Sequence, residues 1–194
     1  EVENSLEAAL DRLEKAFAYP IFVKPAGTGS SVGVAKAKTR EALTAALQNA
    51  AKFDTKILAE EFINGQEVEV AVLGNDNPAA SVCGEIDSGT EFYDYDAKYI
   101  SDCARLYIPA RIDEVTAEKV RDAAVRVFTA MGCRGLSRVD FFLDEKGDLY
   151  INEINTIPGF TSISMFPMSF KAKGLSYSGI IDKLLDFAVK EHKK

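Results

Sequence analysis

Two strand-length segments joined by a short polar turn constrain this chain more than any other feature of its sequence. Residues 136–143 and 149–155 mix Val, Ile, Phe and Tyr with polar side chains, which predicts the two arms of a β-hairpin. If Lys146 and Gly147 are the central turn residues, Asp140 lies directly opposite Glu153. Because strand side chains repeat every two residues, one face then carries Arg138, Asp140, Glu153 and Asn155.

The two opposed carboxylates of this hairpin would repel each other, and a cation bound between them would offset that repulsion. Carboxylate and amide oxygens suit a Mg²⁺ ion that also holds nucleotide phosphates, so Asp140, Glu153 and Asn155 are candidate metal ligands. Arg138 could bind a phosphate or a developing oxyanion. The pattern alone also fits the solvated face of an ordinary hairpin, and a slip of one residue would abolish the pairing.

A glycine- and serine-rich segment, residues 25–33, follows Lys24 at the end of a predicted strand. Such a turn can offer an ammonium group, backbone N–H groups and hydroxyls to phosphates. It lacks the Gly-Lys-Ser/Thr order of a Walker A loop. A flexible hairpin loop explains the same residues, so this segment is a weak signal by itself.

The predicted strand at residues 56–63 runs into an Asn64-Gly65 turn. An exposed edge of this strand could pair with adenine through its backbone, and a nearby carboxylate could hold the ribose hydroxyls. Taken alone, the glutamates of this region are better explained as surface charges, namely Glu60, Glu61, Glu67 and Glu69.

Composition argues against several classes of function. The net charge of −7 disfavours a nucleic-acid partner. Three scattered cysteines and one histidine, His192, support neither a disulfide framework nor a zinc site nor a histidine-activated nucleophile. We find no signal peptide and no apolar run near the roughly 20 residues of a membrane span, so the expected location is the cytoplasm, without a membrane partner.

Helices and strands are mixed without regular βαβ alternation, so the predicted fold class is α+β. Residues 87–105 form a long polar and aromatic stretch without periodicity. Segments of that length without secondary structure are uncommon in compact domains and often act as lids over a site.

Together these motifs resemble the ATP-grasp superfamily, and within it the D-alanine–D-alanine ligases. The resemblance runs from about Tyr19 to Lys183, nearly the whole chain. The segments that carry it are Phe22-Val23-Lys24-Pro25, Gly29-Ser30-Ser31-Val32-Gly33, Phe92-Tyr93-Asp94-Tyr95-Asp96-Ala97-Lys98-Tyr99, Ser137-Arg138-Val139-Asp140, and Asn152-Glu153-Ile154-Asn155-Thr156-Ile157-Pro158-Gly159-Phe160-Thr161-Ser162.

The resemblance implies an ATP-grasp fold in two parts. Residues 1–60 would be the second half of the small central lid subdomain, and residues 61–194 the large C-terminal antiparallel-sheet subdomain with the metal and substrate sites. It also implies an enzyme that joins two D-alanines through an acyl phosphate, for peptidoglycan precursor synthesis. The implied cofactors are ATP and two Mg²⁺ ions, or Mn²⁺ in their place.

The resemblance assigns roles residue by residue. ATP-binding positions are Lys24, Ser31, Glu60, Glu61, Phe62, Ile63, Glu67, Phe92, Lys98, Phe142 and Asn152. Substrate-binding positions are Ser30, Tyr99, Arg138, Gly159, Ser164 and Met165. Catalytic positions are Arg138, Ser30, Tyr99, Lys98 and Gly159, and the metal ligands are again Asp140, Glu153 and Asn155.

Family members begin with an N-terminal domain that binds the first D-alanine and helps to form a homodimer, and nothing in this sequence matches it. We therefore expect the chain to be a fragment with little or no ligase activity alone, and its parent to be a homodimer. Glu61 stands where some relatives have lysine, whereas Tyr99 favours D-alanine as the second substrate. The alternatives are a D-alanyl-D-serine ligase, another ATP-grasp carboxylate–amine ligase, and a non-catalytic nucleotide-binding module.

Overall fold

The computed structural model describes residues 5–29, 31–87 and 105–193. These residues divide into two compact units. The first runs up to Ile63, and the second begins at Asn64, continues to Asp87 and resumes at Arg105. Within the described ranges, no helix combines the length and apolar character needed to cross a membrane.

The first unit is a three-stranded antiparallel sheet of order β2-β1-β3 that packs against two helices. Its elements are α1 (Leu6–Ala16), β1 (Ile21–Pro25), β2 (Ala35–Ala37), α2 (Arg40–Ala50) and β3 (Ile57–Glu61). Alternation along β1 sends Ile21 and Val23 into an apolar core with Leu10 of α1. Phe22 and Lys24 consequently lie on the opposite face, away from that core.

The second unit is a five-stranded antiparallel sheet of order β6-β5-β4-β7-β8, with helices packed on both faces. Its elements are β4 (Gly65–Gly74), β5 (Ala79–Asp87), β6 (Arg105–Tyr107), α3 (Glu114–Ala130), β7 (Gly135–Asp144), β8 (Leu149–Asn155), α4 (Met165–Ala172) and α5 (Tyr177–His192). One face packs Val70 and Phe141 against Phe128 of α3. The other packs Ala71 against Phe166 of α4. The predicted α+β class is confirmed.

The turn of the β7–β8 hairpin differs from the one that the sequence predicts. Asp144 and Asp148 close it, with the Asp144 N–H donating to the Asp148 carbonyl at 3.0 Å. Gly147 has a φ of +82°, the left-handed conformation that favours glycine. The turn is therefore one residue longer than assumed, and Leu143 pairs with Leu149.

A β-bulge at Asn152 cancels this shift of one residue. The register changes between Asp140 and Phe141, so Asp140 pairs with Glu153 and Arg138 with Asn155. A bulge places two residues of one strand against one residue of its neighbour, and here the extra residue restores the pairing. The predicted cross-strand pair is confirmed, although the assumed two-residue turn was wrong.

Two further elements are short. Strand β2 is only Ala35–Ala37, because the chain turns first, with Ser31 at φ 59° and Gly33 at φ 77°. Helix α4 was not predicted at all. Its Pro167 lies in the first turn, where a proline costs no helical hydrogen bond, but its short apolar sequence lacks helical periodicity.

The glycine-rich loop after β1 is tied down by the carboxylate of Asp54. Its Oδ2 accepts a hydrogen bond from the Gly27 N–H at 2.6 Å, and its Oδ1 accepts one from the Lys56 N–H at 3.0 Å. These donors, Lys56 first and then Gly27, lower the pKa of Asp54 below its usual value. A Cβ atom on residue 27 would lie 2.9 Å from Asp54 Oδ2, so this close approach favours glycine.

Replacing Asp54 with alanine should expose the Gly27 N–H to faster hydrogen exchange. In the wild type, the protection factor should be constant above the usual aspartate pKa of about 3.9 and fall only as the pH drops through the lower folded-state value. Amide exchange of the labelled chain measures both effects. The control variant Asp148→Ala, at an exposed position, should leave the exchange rate of the Gly27 N–H unchanged. Fast exchange of the Gly27 N–H in the wild type at neutral pH would contradict its hydrogen bond to Asp54.

Replacing Phe141 with alanine should lower the free energy of unfolding by about 3–5 kcal/mol, because the fully buried ring leaves a cavity under α3. Urea unfolding followed by circular dichroism measures this loss. The matched control is Phe53→Ala, because Phe53 is 47% exposed. We expect it to cost about 1 kcal/mol or less, and equal losses at the two positions would contradict the described core.

Candidate functional site

Three acidic side chains form a row across three neighbouring strands of the second sheet. Asp140 on β7 pairs with Glu69 on β4 and with Glu153 on β8. Directly opposed residues lie about 4.5–5.5 Å apart at their Cβ atoms, so these carboxylates are close neighbours on one face. Glu69 is 3% exposed and Asp140 is 2% exposed. Such a row needs cationic partners.

Arg138 supplies the positive charge within this row. Its Nε and Nη2 donate to the two carboxylate oxygens of Asp140 at 2.7 and 2.6 Å, a bidentate pair. Its Nε also lies 3.1 Å from Glu69 Oε2. Burial disfavours the charged guanidinium, but the hydrogen bonds and charge of Asp140, with the charges of Glu69 and Glu153, raise the pKa of Arg138 overall. Arg138 therefore stays charged.

Asn155 completes the polar face that the sequence predicts. Its Nδ2 donates to Glu153 Oε1 at 2.8 Å and lies 3.5 Å from Asp140 Oδ2. Rotating the amide by 180° would turn its oxygen toward the same two carboxylates. The three oxygens would repel one another without a cation, whereas a cation bound between them would stabilise that arrangement. The fold thus brings together Arg138, Asp140, Glu153 and Asn155.

The donor atoms of this face fit a hard divalent cation in kind, since Mg²⁺ prefers carboxylate and amide oxygens. Among the described residues, no group of three or more His, Cys, Asp or Glu side chains is arranged as a metal site. A cation held by Asp140 and Glu153 would therefore take the amide oxygen of Asn155 as its third protein ligand. Mg²⁺ fits such an incomplete set, because it usually keeps several waters.

Three more of the predicted nucleotide residues border this face. Phe142 follows Asp140 at the strand period of two and pairs with Glu67 on β4, and both are half-buried. Asn152 is the extra residue of the bulge on β8. Glu67, Phe142 and Asn152 therefore border the carboxylate row on strands β4, β7 and β8.

The loop between β8 and α4 is compact around Gly159. A Cβ atom there would lie 3.0 Å from Ser164 Oγ, which itself accepts a hydrogen bond from the Thr161 N–H at 3.0 Å. Met165 begins α4 and is buried, with its sulfur so close that a Cβ atom on Gly84 would lie 2.3 Å away. The side chain of Met165 therefore packs on β5.

In the first unit, the predicted nucleotide residues lie on the face of the sheet away from the helices. Lys24 Nζ lies 2.8 Å from Glu60 Oε1. The rings of Phe22 and Phe62 stack with centroids 5.9 Å apart, and Lys36 Nζ lies 3.6 Å from the centroid of Phe62. This face thus combines two ammonium groups with an aromatic pair.

The residues predicted to pair with adenine, 60–63, lie on β3 and just beyond it. Within the part of the chain that the structure describes, β3 is an edge strand of its sheet, so no described strand pairs with its outer backbone groups. Glu61 is exposed, and Ile63 is half-buried in the connection to the second unit. Ser31 lies in the turn before β2. Four further predicted site residues lie outside the described residues, namely Ser30, Phe92, Lys98 and Tyr99.

The interpretation of Glu69 as a surface charge was wrong, because its side chain is buried beside Arg138. Alternation with the apolar Val68 and Val70 could have placed Glu69 on the polar face, but not beside Arg138, since the sheet order decides which strands are neighbours. Sequence reasoning also missed Lys36 and Asp54, for which no motif gives a signal.

Comparisons with known proteins agree on one family. A family model described as "D-ala D-ala ligase C-terminus" matches residues 1–186. The chain is 54% identical to a D-alanine–D-alanine ligase of Acetivibrio thermocellus, covering 99% of this chain and 51% of that protein. It is 52% identical to the D-alanine–D-alanine ligase of Pelodictyon phaeoclathratiforme, covering 97% of this chain and 53% of that protein.

Solved structures give the same result. The D-Ala:D-Ser ligase VanG of Enterococcus faecalis superimposes with a TM-score of 0.86 at 43% identity, over 94% of this chain and 53% of that one. The D-alanine–D-alanine ligase of Coxiella burnetii gives a TM-score of 0.83 at 33% identity, over 98% of this chain and 50% of that one.

The present chain spans about half the length of the curated relatives that it matches. The match to the family model covers nearly all of its residues, and the structural neighbours share its mixed helix and antiparallel-sheet architecture. The chain therefore belongs to the D-alanine–D-alanine ligase C-terminal family and has the α+β ATP-grasp fold of those ligases.

Proposed function

We propose that this chain is the nucleotide- and magnesium-binding half of an ATP-dependent ligase that joins two D-alanines. The observation that carries the proposal is the row of Asp140, Glu153 and Asn155 beside Arg138 on one sheet face. A solvated surface face does not explain a carboxylate that is 2% exposed. The names and identities of the relatives support the choice of reaction.

In this proposal, the γ-phosphoryl group of ATP passes to the carboxylate of the first D-alanine, giving an acyl phosphate and ADP. The amine of the second D-alanine then attacks the acyl carbon, forms the peptide bond, loses a proton and releases phosphate. Bound magnesium neutralises charge on the transferring phosphoryl group. Arg138 and the Gly159 N–H hold the oxyanion of the tetrahedral intermediate, a contribution of roughly 3–4 kcal/mol per donor.

Nucleotide-binding roles are assigned to residues within each unit. Lys24 would bind phosphate, and its ion pair with Glu60 would keep the ammonium group in place before the nucleotide arrives. The edge of β3 at residues 60–63 would pair with adenine, Glu67 would hold the ribose, and Phe142 would underlie the base. Asp140, Glu153 and Asn155 would hold magnesium.

The remaining assignments concern the parent protein. Ser164 and Met165, with Ser30 and Tyr99, would surround the second D-alanine, and Lys98 would bind the γ-phosphate of ATP. We place the reaction in the cytoplasm, in the synthesis of peptidoglycan precursors, and the parent as a homodimer. A D-alanyl-D-serine ligase is the second candidate, because VanG, a D-Ala:D-Ser ligase, superimposes on this chain with a TM-score of 0.86.

The isolated chain should show little or no ADP release with D-alanine, whereas a full-length protein that contains it should be active. The physical reason is that the chain spans about half of its relatives, so part of the substrate and phosphate contacts lies elsewhere. A coupled ADP assay with D-alanine, D-serine and D-lactate measures this. Preference for D-serine as the second substrate would favour the alternative, and no activity with any of the three would overturn the proposed ligase.

Replacing Asp140 with asparagine should weaken binding of Mg²⁺·ADP to the isolated chain by roughly tenfold or more, since even outer-shell partners of bound metals contribute 10–100-fold. Titration calorimetry measures the affinity, and a melting curve checks that the variant is folded. Binding of ADP in the presence of EDTA should be the same in both proteins. The exposed Asp148→Asn is the matched control, and an unchanged Mg²⁺·ADP affinity in Asp140→Asn would remove Asp140 from the metal set.

A further inference from the structure

Glu69 is a buried carboxylate to which the proposed roles assign no task. It lies on β4, the central strand of the sheet, directly opposite Asp140. Its Oε2 lies 3.1 Å from the Nε of Arg138. An ionised carboxylate at this depth is costly unless a cation accompanies it. Glu69 and Arg138 therefore compensate each other's burial.

Arg138 is in fact held from two directions. Its two hydrogen bonds go to Asp140 on its own strand, β7, whereas its contact with Glu69 reaches toward β4. Glu153 and Asn155 lie on β8, on the other side of β7. The order of strands thus places the candidate metal ligands on β7 and β8 and the second anchor of the arginine on β4.

The two attachments of Arg138 differ in what a cation would do to them. Mg²⁺ demands a nearly octahedral arrangement of ligands at about 2.0–2.1 Å, so a carboxylate that joins it must turn an oxygen toward the ion. The bidentate pair with Arg138 uses both oxygens of Asp140. A cation bound to one of those oxygens draws negative charge away from the pair and repels the guanidinium, so Asp140 holds Arg138 less strongly while it ligates a cation. Glu69 touches Arg138 from outside the candidate metal set.

We propose that Glu69 is a positioning residue that holds the guanidinium of Arg138 in place when Asp140 ligates a divalent cation. The proposal rests on the proposed function, since it takes Asp140 as a magnesium ligand and Arg138 as an oxyanion donor. Glu69 acts through Arg138 and not on the substrate. Without Glu69, the metal would bind but the arginine would be free to move as the metal arrived.

The test follows the Nε–H signal of Arg138 by NMR spectroscopy of the 194-residue chain, with the signal assigned by its loss in Arg138→Lys. Mg²⁺ is added until the side-chain amide signals of Asn155 stop shifting. The variants are Glu69→Met, which keeps the volume but removes charge and acceptor, and Glu69→Gln, which removes the charge alone. The matched control is Glu85→Met, because Glu85 is another buried carboxylate of this sheet with its own arginine, Arg111, at 2.6 Å.

Without metal, the Arg138 Nε proton should exchange slowly in every protein, because Asp140 holds it. At saturating Mg²⁺, exchange should become roughly tenfold faster or more in Glu69→Met, as expected when a hydrogen bond between charged groups is lost. Glu69→Gln should be intermediate, and the wild type and Glu85→Met should stay slow. If Glu69→Met does not fold, the comparison of Glu69→Gln with the wild type decides the question in the same way.

Three results would overturn the proposal, and they differ in what else they affect. Slow exchange in both Glu69 variants with Mg²⁺ bound means that Glu69 does not hold the arginine. Fast exchange before Mg²⁺ is added means that Glu69 is only a structural partner of Arg138. If the Asn155 signals do not respond to Mg²⁺ in the wild type, the metal site of the proposed function fails as well.

Discussion

The pairing of β7 with β4 on one side and β8 on the other determines which charged side chains of the second unit meet. Asp140 takes part in both pairings, because it lies opposite Glu69 on β4 and opposite Glu153 on β8. A shift of one residue in either ladder would turn the opposing side chain to the other face of the sheet, into the apolar packing of α3. The candidate site therefore depends on backbone hydrogen bonds before it depends on any side chain.

The same sheet face changes from apolar to acidic along β4. Ala71 and Leu73 pack beneath α4 and α5, whereas Glu67 and Glu69 precede them on the same face at the same period of two. The apolar half fixes the sheet and its helices, and that rigidity keeps the acidic half in register. Burial raises the cost of the acidic row, and the charge of Arg138 compensates part of that cost.

The charged side chains of the first unit are held in a different way. Its charges are less deeply buried, and among the described residues Lys24 and Lys36 have one partner each, a carboxylate and an aromatic ring. Such contacts are weaker than a buried bidentate pair, so a polyanionic ligand can displace them. The tether from Asp54 to Gly27 limits the freedom of the loop that joins β1 to β2. This contrast fits one unit that binds phosphate and another that holds a cation.

The sequence by itself determined the elements with strong periodicity and the pairing of β7 with β8, two strands that follow each other in the chain. Two strand-length segments separated by a short polar turn predicted the arms of the β7–β8 hairpin, and the pairing of Asp140 with Glu153 followed from local connectivity. Even there, the turn and the bulge at Asn152 were not foreseen, because two deviations of one residue cancel in the register. The expected roles of individual residues came from the resemblance to the D-alanine–D-alanine ligases, because periodicity carries no information about them.

Only the tertiary structure decided that Glu69 joins the row and that Met165 is buried on β5. Glu69 and Asp140 are 71 positions apart, and their contact exists because β4 lies beside β7 in the sheet. Helix α4 likewise forms over an apolar sheet face that its own short sequence does not reveal. The physical reason is common to all three: burial and charge pairing are properties of neighbours in space, and a single sequence specifies those neighbours only through the complete packing of its strands and helices.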